Sequence, residues 1–235
     1  MPTSMKNTKK SAKVLRILNS SPGFQAASFV FTQIVFFLIL LFDTLFYRLE
    51  VSGRHHLHLD RAFLVSNHSM YLDPATVGQA VYPRRTHFAV LEETFSIPIL
   101  GGMIRLLGAF PLPKGNPMKV LLKPMKTALD TFGFVHFFPE GKLYPFNTDI
   151  KPFQEGVFFF SLHFNVPVVP LTIVVKRRRR KKKVVSILPP KVRIVIGEPV
   201  YPEAYRAGAG LRRSMHAMAE SVRCTMQETI NSGLW

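Results

Sequence analysis

The 235-residue chain has little of several residue types that define common protein classes. Cys224 is its only cysteine, which excludes an intrachain disulfide and fits a reducing compartment. Acidic residues number 14 against 31 lysines and arginines, and charged residues of both signs make up only 19% of the chain. No internal repeat is visible, and the only low-complexity segment is a short basic run. A disulfide scaffold, a repeat array and a disordered polyelectrolyte are therefore excluded.

The chain combines a formal net charge of +17 with 47% hydrophobic residues and a mean hydropathy of +0.15. Five of the positive charges lie within residues 6–16 and eight in the KRRRRKKK run at 176–183. Each Lys or Arg near an anionic bilayer contributes about 1 kcal/mol, which favours anionic lipid headgroups as partners of the basic run. The alternatives are a solvated loop and a nucleic-acid patch; the second is disfavoured because no interleaved aromatics or recognised binding fold accompany the run.

Residues 1–48 are predicted to anchor the chain in a membrane. A basic start leads to a Pro22-Gly23 break and then to the apolar stretch 24–47, which is long enough to span a bilayer at about 1.5 Å per residue. Because Gln33 and Asp43 interrupt the stretch, both a spanning and an interfacial helix remain open. No small-residue cleavage site follows, which argues against a signal peptide. The positive-inside rule predicts the cytoplasmic face of the inner (cell) membrane.

Residues 49–235 are predicted to form an α/β domain, because short apolar runs alternate with helical patterns. The expected fold is a mixed, mostly parallel sheet flanked by helices, preceded by the N-terminal hydrophobic helical membrane anchor. The predicted strands cover residues 49–57, 62–66, 87–91, 109–112, 134–138, 168–175, 184–188 and 192–196. The predicted helices cover residues 74–82, 97–107, 118–132, 156–164 and 211–230.

The polar segment 67–74 (NHSMYLDP) directly follows a predicted buried strand and opens a predicted helix. Its side chains therefore lie at the carboxyl end of a strand, where open α/β sheets bind their ligands. One interpretation is that Asp73 only caps the helix, with Pro74 in its first turn. The other is that Asp73 turns back to one ring nitrogen of His68 and leaves the second nitrogen free to act as a general base.

A second pair, His55 and Asp60, has the same spacing as His68 and Asp73. We predict no catalytic role for it, because the segment alternates like a strand and positions five apart on a strand face opposite ways. Metal binding by the histidines at 55, 56 and 58 is also not expected, since no cysteines or carboxylates converge with them.

The turn at residues 138–142 (FPEGK) follows another strongly apolar strand. A proline, a carboxylate, a glycine and a lysine at a strand end are typical of an ordinary turn. The same turn can direct the backbone N–H groups of Gly141 and Lys142 towards a bound oxyanion, with Lys142 adding positive charge.

The segments 67–74 and 138–141, taken together, resemble the motifs of the glycerolipid acyltransferase superfamily, in particular the lysophosphatidic acid acyltransferases. Three weaker blocks follow the family order at residues 108–114, 151–156 and 166–171. The resemblance covers roughly residues 51–175. It implies acyl transfer from an acyl thioester, acyl-CoA or acyl carrier protein, to a lysophospholipid hydroxyl in phospholipid biosynthesis, without a cofactor or metal.

Within this resemblance, His68 is the expected general base and Asp73 orients it. The implied substrate-binding residues are Asn67, Lys114, Glu140, Gly141 and Lys142. For Glu140 both contact with the acceptor and support of the loop remain open.

Two departures from the family pattern concern phosphate recognition. The family usually carries arginine where this chain has Lys114 and Leu143. Lysine binds phosphate as a point charge, so lysophosphatidic acid is the expected acceptor. Because lysine lacks the bidentate fork of arginine, a lyso-ornithine lipid or another lysolipid is a competitor. A non-catalytic basic membrane-binding or nucleic-acid-binding protein on the same scaffold is the rival of another class.

Overall fold

A computed structural model of the chain describes residues 22–112, 118–177, 179–180, 183–184, 189–206 and 210–233. Its α-helices are α1 (Pro22–Phe42), α2 (Asp73–Val81), α3 (Leu100–Leu106), α4 (Leu122–Phe132), α5 (Gly156–Phe164) and α6 (Leu211–Asn231). A π-helical turn (Asp43–Tyr47) continues α1, and 3-10 turns cover Arg54–Leu57, Glu92–Ser96, Met118–Leu121 and Pro202–Tyr205.

A seven-stranded sheet forms the centre of the α/β domain, in the order β1-β9-β6-β2-β5-β3-β4. Its strands are β1 (Glu50–Ser52), β2 (Ala62–Ser66), β3 (Thr86–Leu91), β4 (Phe110–Leu112), β5 (Phe134–Phe137), β6 (Val168–Lys176) and β9 (Lys191–Ile196). Only the pairing of β6 with β9 is antiparallel; the other five pairs are parallel. The predicted mixed, mostly parallel α/β fold is thus confirmed.

Both faces of the sheet are covered by apolar side chains, because alternate residues of a strand point to opposite faces. On β2, Phe63 and Val65 belong to the cluster formed with α4, α5 and α6, whereas Ala62 and Leu64 belong to the cluster formed with α2. Every residue of β2 is buried, which explains its uninterrupted apolar run of Ala62–Val65. This central position holds the carboxyl end of β2 rigidly, where the 67–74 segment begins.

The predicted strand 49–57 is wrong beyond residue 52. Gly53 has a φ of 79°, and a Cβ there would lie 2.0 Å from the backbone oxygen of Ile196, so the chain turns at this glycine. The 3-10 turn Arg54–Leu57 follows, and it contains His55 and His56. The strand argument against the His55–Asp60 pair therefore rested on the wrong secondary structure.

Further sequence predictions differ in their bounds. The predicted helix 118–132 begins at Leu122, because Met118–Leu121 is a 3-10 turn. The predicted helix 97–107 begins only at Leu100, because residues 92–96 form a 3-10 turn and Ile99 adopts a φ of 66°. Of the predicted strand 184–188, only Val184 lies within the described residues, as the end of β8 (Lys183–Val184). Within the basic run, β8 pairs antiparallel with β7 (Arg179–Arg180).

Helix α1 packs along the α/β domain through its polar side chains. Ser28 and Thr32 are buried; the Ser28 hydroxyl donates to the Leu106 carbonyl (2.6 Å), and the Arg85 guanidinium donates to the Ser28 hydroxyl (3.1 Å). Further along the helix, the Gln79 amide donates to the backbone oxygen of Phe36 (2.7 Å).

The opposite face of α1 is apolar and exposed. Its large exposed side chains are Phe29, Val30, Ile34, Phe37, Leu38, Leu40, Leu41 and Phe42. The helical stretch Pro22–Tyr47 is long and apolar enough to cross a membrane by length and composition. Polar groups thus face the protein and apolar groups face outward, which is the reverse of a helix on a water-soluble domain.

Candidate active site

Two neighbouring parallel strands bring the two sequence motifs together. β2 and β5 pair in register, with Val65 opposite Phe137, and both motifs begin directly after these strands end. The turn carrying His68 and the turn carrying Glu140 therefore lie side by side at the carboxyl edge of the sheet, as open α/β domains place their binding sites.

The Asp73 carboxylate lies against the His68 ring and holds the turn that presents it. Asp73 Oδ2 is 2.9 Å from His68 Nδ1 and also accepts hydrogen bonds from the backbone N–H groups of Ser69 (2.6 Å) and Met70 (2.8 Å). Asp73 is fully buried, whereas the His68 side chain is 21% exposed. With Nδ1 donating to the carboxylate, Nε2 of His68 is left as the acceptor nitrogen of the ring.

The interpretation of Asp73 as a simple helix cap is contradicted by these contacts. Leu72 occupies the N-cap position of α2 and makes no side-chain cap hydrogen bond, while Asp73 is already the first helical residue. Its side chain points back to residues 68–70 instead of forward to the first N–H groups of the helix. Asp73 therefore supports the histidine and its turn.

Aromatic rings fix the orientation of the His68 imidazole. The ring stacks on Phe138 at 4.1 Å between centroids, and Phe138 and His136 meet edge to face with 4.6 Å between their centroids. His136 is fully buried on β5, and its Nε2 lies 2.9 Å from the hydroxyl of Ser66. Burial lowers the pKa of His136 to about 3, with the nearby His68 adding to the effect. His136 is thus a neutral support below the site.

Glu140 lies against the turn that carries His68, which favours the loop-supporting role of the two that the sequence left open. Its carboxylate is buried and accepts a hydrogen bond from the backbone N–H of His68. Burial is the main cause that raises the pKa of Glu140 to about 7. The backbone N–H groups of Tyr144 and Phe146 donate to the carbonyls of His68 (2.9 Å) and Ser69 (3.0 Å). The two turns are therefore joined by hydrogen bonds from both sides.

The other predicted substrate-binding residues have different surroundings. The buried Asn67 amide bridges to β6, since it donates to the Ile173 carbonyl (2.9 Å) and accepts from the Ile173 N–H (2.8 Å). The Gly141 N–H donates to the Phe138 carbonyl (3.0 Å) within its own turn, so the prediction that it faces an oxyanion is contradicted. Lys142 is exposed beside this turn, and Lys114 lies outside the described residues.

Sequence reasoning missed His136, Phe138 and the backbone donors of residues 144 and 146. For His136 a signal was present, because a histidine within the strongly apolar strand 134–138 needs a hydrogen-bonded place in the core. For the loop after Gly141 no local signal exists, since the N–H groups of Tyr144 and Phe146 bond to His68 and Ser69, far earlier in the chain. Among the described residues, no group of three or more His, Cys, Asp or Glu side chains is arranged to hold a metal ion.

The chain is similar to known acyltransferases in sequence and in fold. The sequence profile of the family described as Acyltransferase matches residues 48–174, which is more than half of the chain. A chloroplastic 1-acyl-sn-glycerol-3-phosphate acyltransferase, BAT2 of Brassica napus, is 29% identical over 164 residues, which are 66% of this chain and 46% of that protein. The 1-acyl-sn-glycerol-3-phosphate acyltransferase of Bacillus subtilis is 24% identical over 183 residues, 77% of this chain and 88% of that protein.

Among solved structures, the crystal structure of the 1-acyl-sn-glycerophosphate acyltransferase PlsC from Thermotoga maritima superimposes with a TM-score of 0.61 at 21% sequence identity. The superposition covers 97% of this chain and 91% of that one. At this identity the likeness shows a shared fold. The chain spans about half the length of the Brassica relative and most of the length of the bacterial proteins.

Proposed function

Because this chain belongs to the Acyltransferase family, we propose that it transfers a fatty acyl group from an acyl thioester to the free hydroxyl of a lysophospholipid, with lysophosphatidic acid as the acceptor and phosphatidic acid as the product. The observation that carries the proposal is the contact of 2.9 Å between His68 Nδ1 and Asp73 Oδ2 at the carboxyl end of β2. The relatives of known activity carry the same reaction in their names.

In the proposed reaction His68 acts as a general base. A hydroxyl is a weak nucleophile at neutral pH, so His68 Nε2 accepts its proton while the oxygen attacks the thioester carbonyl. The resulting imidazolium is stabilised by the Asp73 carboxylate, which itself keeps no proton. When the tetrahedral intermediate collapses, the carbon–sulfur bond breaks and the imidazolium returns the proton to the leaving thiolate. An ester and a free thiol are the products, and no acyl-enzyme forms.

The exposed face of α1 supports a position on the membrane surface. The contacts between α1 and the domain run from Ser28 to Phe36, so the domain lies beside the helix instead of below one end of it. If α1 stood upright in the bilayer, Arg85 and α2 would lie in the hydrocarbon, where a charged arginine side chain is costly. We therefore propose that α1 lies in the interface with Phe37 and its exposed neighbours in lipid, so that the acceptor reaches His68 without leaving the membrane.

Thioester consumption by the purified protein, measured with a panel of lysolipids, tests this function. We expect turnover with lysophosphatidic acid, and a loss on the order of 10²–10⁴-fold in kcat for His68→Ala, because the general base is removed. His55→Ala is the matched control, since His55 is exposed in a 3-10 turn and has no carboxylate contact among the described residues. Near-normal turnover by His68→Ala, or an equal loss in both variants, would contradict the mechanism.

The same panel separates the alternatives. Turnover with lyso-ornithine lipid but not with lysophosphatidic acid would change the acceptor and leave the chemistry at His68 intact. No thioester consumption with any acceptor, together with retained vesicle binding, would favour a non-catalytic membrane-binding protein. High salt is expected to weaken vesicle binding through screening without full release, since the apolar face of α1 remains in lipid.

A further inference from the structure

An apolar cavity of about 160 Å³ adjoins the turn that carries His68. One wall is the catalytic turn itself, from Ser69 to Leu72, and another consists of Leu143 and Phe146 from the loop after Glu140. Tyr47 and Pro190 also line the cavity. The position at which the family resemblance leads one to expect an arginine, Leu143, therefore adds to an apolar wall.

A cationic side chain lies at the rim of this cavity. The guanidinium of Arg177 stands over the Phe146 ring at 4.7 Å from its centroid, and Phe146 is itself fixed by its N–H bond to the Ser69 carbonyl (3.0 Å). Arg177 follows β6, whose last residue, Lys176, is opposite Lys191 in the antiparallel register with β9. The neighbour of Lys191 is Pro190 of the cavity wall. The end of the β6–β9 pair therefore lies beside the cavity wall.

The packing of Arg177 on Phe146 prepares its guanidinium to bind an anion. A guanidinium held over an aromatic ring by a cation–π contact still has N–H groups that can match two oxygens of a phosphate. Arg177 is exposed, and none of the ion pairs in the described part of the chain involves it. Its donors are therefore accessible from the cavity mouth.

We propose that Arg177 binds the phosphate of the lysophosphatidic acid acceptor, whose adjoining apolar part lies against the cavity wall formed by Leu72, Leu143 and Phe146. The inference rests on the proposed function and deepens it, because it names the residue that selects the acceptor headgroup. An amphiphile with one anionic end and one apolar end matches a cationic rim beside an apolar cavity next to His68. Arg177 supplies, from the residue after β6, the positive charge that position 143 lacks.

Steady-state kinetics in neutral detergent micelles test this assignment, with Arg177→Gln, Arg177→Lys and the control Arg61→Gln. Arg61 is also an exposed arginine, but it pairs with Asp130. For Arg177→Gln we expect the KM for lysophosphatidic acid to rise roughly tenfold or more, because a charge-assisted hydrogen bond to phosphate is lost. Arg177→Lys should show a smaller rise, since the charge remains without the fork. The control should match the wild type.

The source of the bound phosphate is distinguished by three further readouts. If the KM for the acyl donor rises instead of that for the acceptor, Arg177 binds the donor and the assignment is wrong. If the defect appears only as weaker binding to vesicles containing phosphatidylglycerol and is absent in micelles, Arg177 serves the bilayer and the assignment is again wrong. An unchanged KM for lysophosphatidic acid also overturns it. If the wild-type protein acylates lysophosphatidic acid in these cases, the proposed function stands and only the Arg177 assignment is wrong. If the wild-type protein is inactive with every acceptor, both the proposed function and the Arg177 assignment are wrong.

Discussion

The two roles of Asp73 can be separated by comparing Asp73→Asn with Asp73→Ala. Asp73 Oδ2 accepts the backbone N–H groups of Ser69 and Met70 and also contacts His68 Nδ1. Asparagine has an oxygen that can keep the two backbone bonds but carries no negative charge. Alanine removes the bonds and the charge together. The first variant therefore tests the electrostatic role, and the second adds the structural one.

The expected sizes follow from these contacts. An imidazolium and a carboxylate whose charge centres are about 4 Å apart attract each other by about 4 kcal/mol at an effective dielectric constant of about 20, so losing the charge lowers kcat by roughly 10³-fold. Two buried N–H groups without an acceptor cost about 1–3 kcal/mol each, so Asp73→Ala should lower Tm by about 4 °C or more. The buried Asp73 Oδ1 has no hydrogen-bond partner among the described residues. In Asp73→Asn the side-chain NH₂ group takes this position without an acceptor, which lowers the stability of the protein by about 1–3 kcal/mol.

Single-turnover acyl transfer and thermal unfolding in detergent, measured on the same preparations, provide the comparison. Asp73→Asn should be strongly impaired in transfer and unfold above Asp73→Ala. Wild-type transfer by Asp73→Asn would show that the carboxylate charge does not assist His68. An Asp73→Ala variant as stable as the wild type would show that the carboxylate does not hold the turn.

Three further predictions concern stability and membrane contact. The folded-state pKa of Glu140 is raised to about 7, so its contribution to the free energy of unfolding is complete below the unfolded pKa of 4.5 and is lost as pH rises to about 7. Glu140→Gln should remove this pH dependence of Tm. Parallel Tm-against-pH curves for the variant and the wild type would contradict the prediction. Gly53→Ala should destabilise the protein by at least about 1 kcal/mol, because a Cβ there lies 2.0 Å from a backbone oxygen. The control Gly23→Ala should not destabilise it, since no atom lies within 4 Å of a Cβ at that position. Equal Tm values for the two variants would refute the prediction. Phe37→Asn should reduce retention on vesicles in high salt roughly tenfold or more with an unchanged Tm in detergent, since a Phe buried in lipid contributes about 1.5–3 kcal/mol; wild-type retention would exclude this face from the bilayer.

The fold class and the position of the central motif could be predicted because both depend on local patterns. The apolar run of β2 and the turn residues after it show where a buried strand ends. His68 and Asp73 are only five residues apart, so a single turn brings them into contact. The same locality explains why α1 was predicted in nearly its final bounds. These features need no knowledge of distant residues.

The parts that sequence reasoning could not give depend on contacts between distant segments. Whether Asn67 binds a substrate or the backbone of Ile173 is decided by the pairing of β2 with β6, which brings Asn67 to a residue 106 positions away. From sequence, the Gly141 N–H could serve an oxyanion, but in the structure it donates to the Phe138 carbonyl within the tight turn of residues 138–141. The failure at residues 54–57 has a steric cause, because the carbonyl of Ile196 leaves space only for the glycine before them.

The hydrogen bonds between α1 and the α/β domain, here called the polar seam, join Ser28 and Phe36 to residues 79–106 and have a consequence for the order in which the chain folds. Residues 22–42 leave the ribosome before Gln79, Arg85 and Leu106, which provide the partners of its polar side. The apolar side needs no partner from the chain, so lipid can receive the nascent helix first. With α1 in the interfacial position proposed above, the domain would fold against a helix that already lies at the membrane, and its hydrogen bonds to Ser28 and Phe36 would form after the helix has reached the lipid.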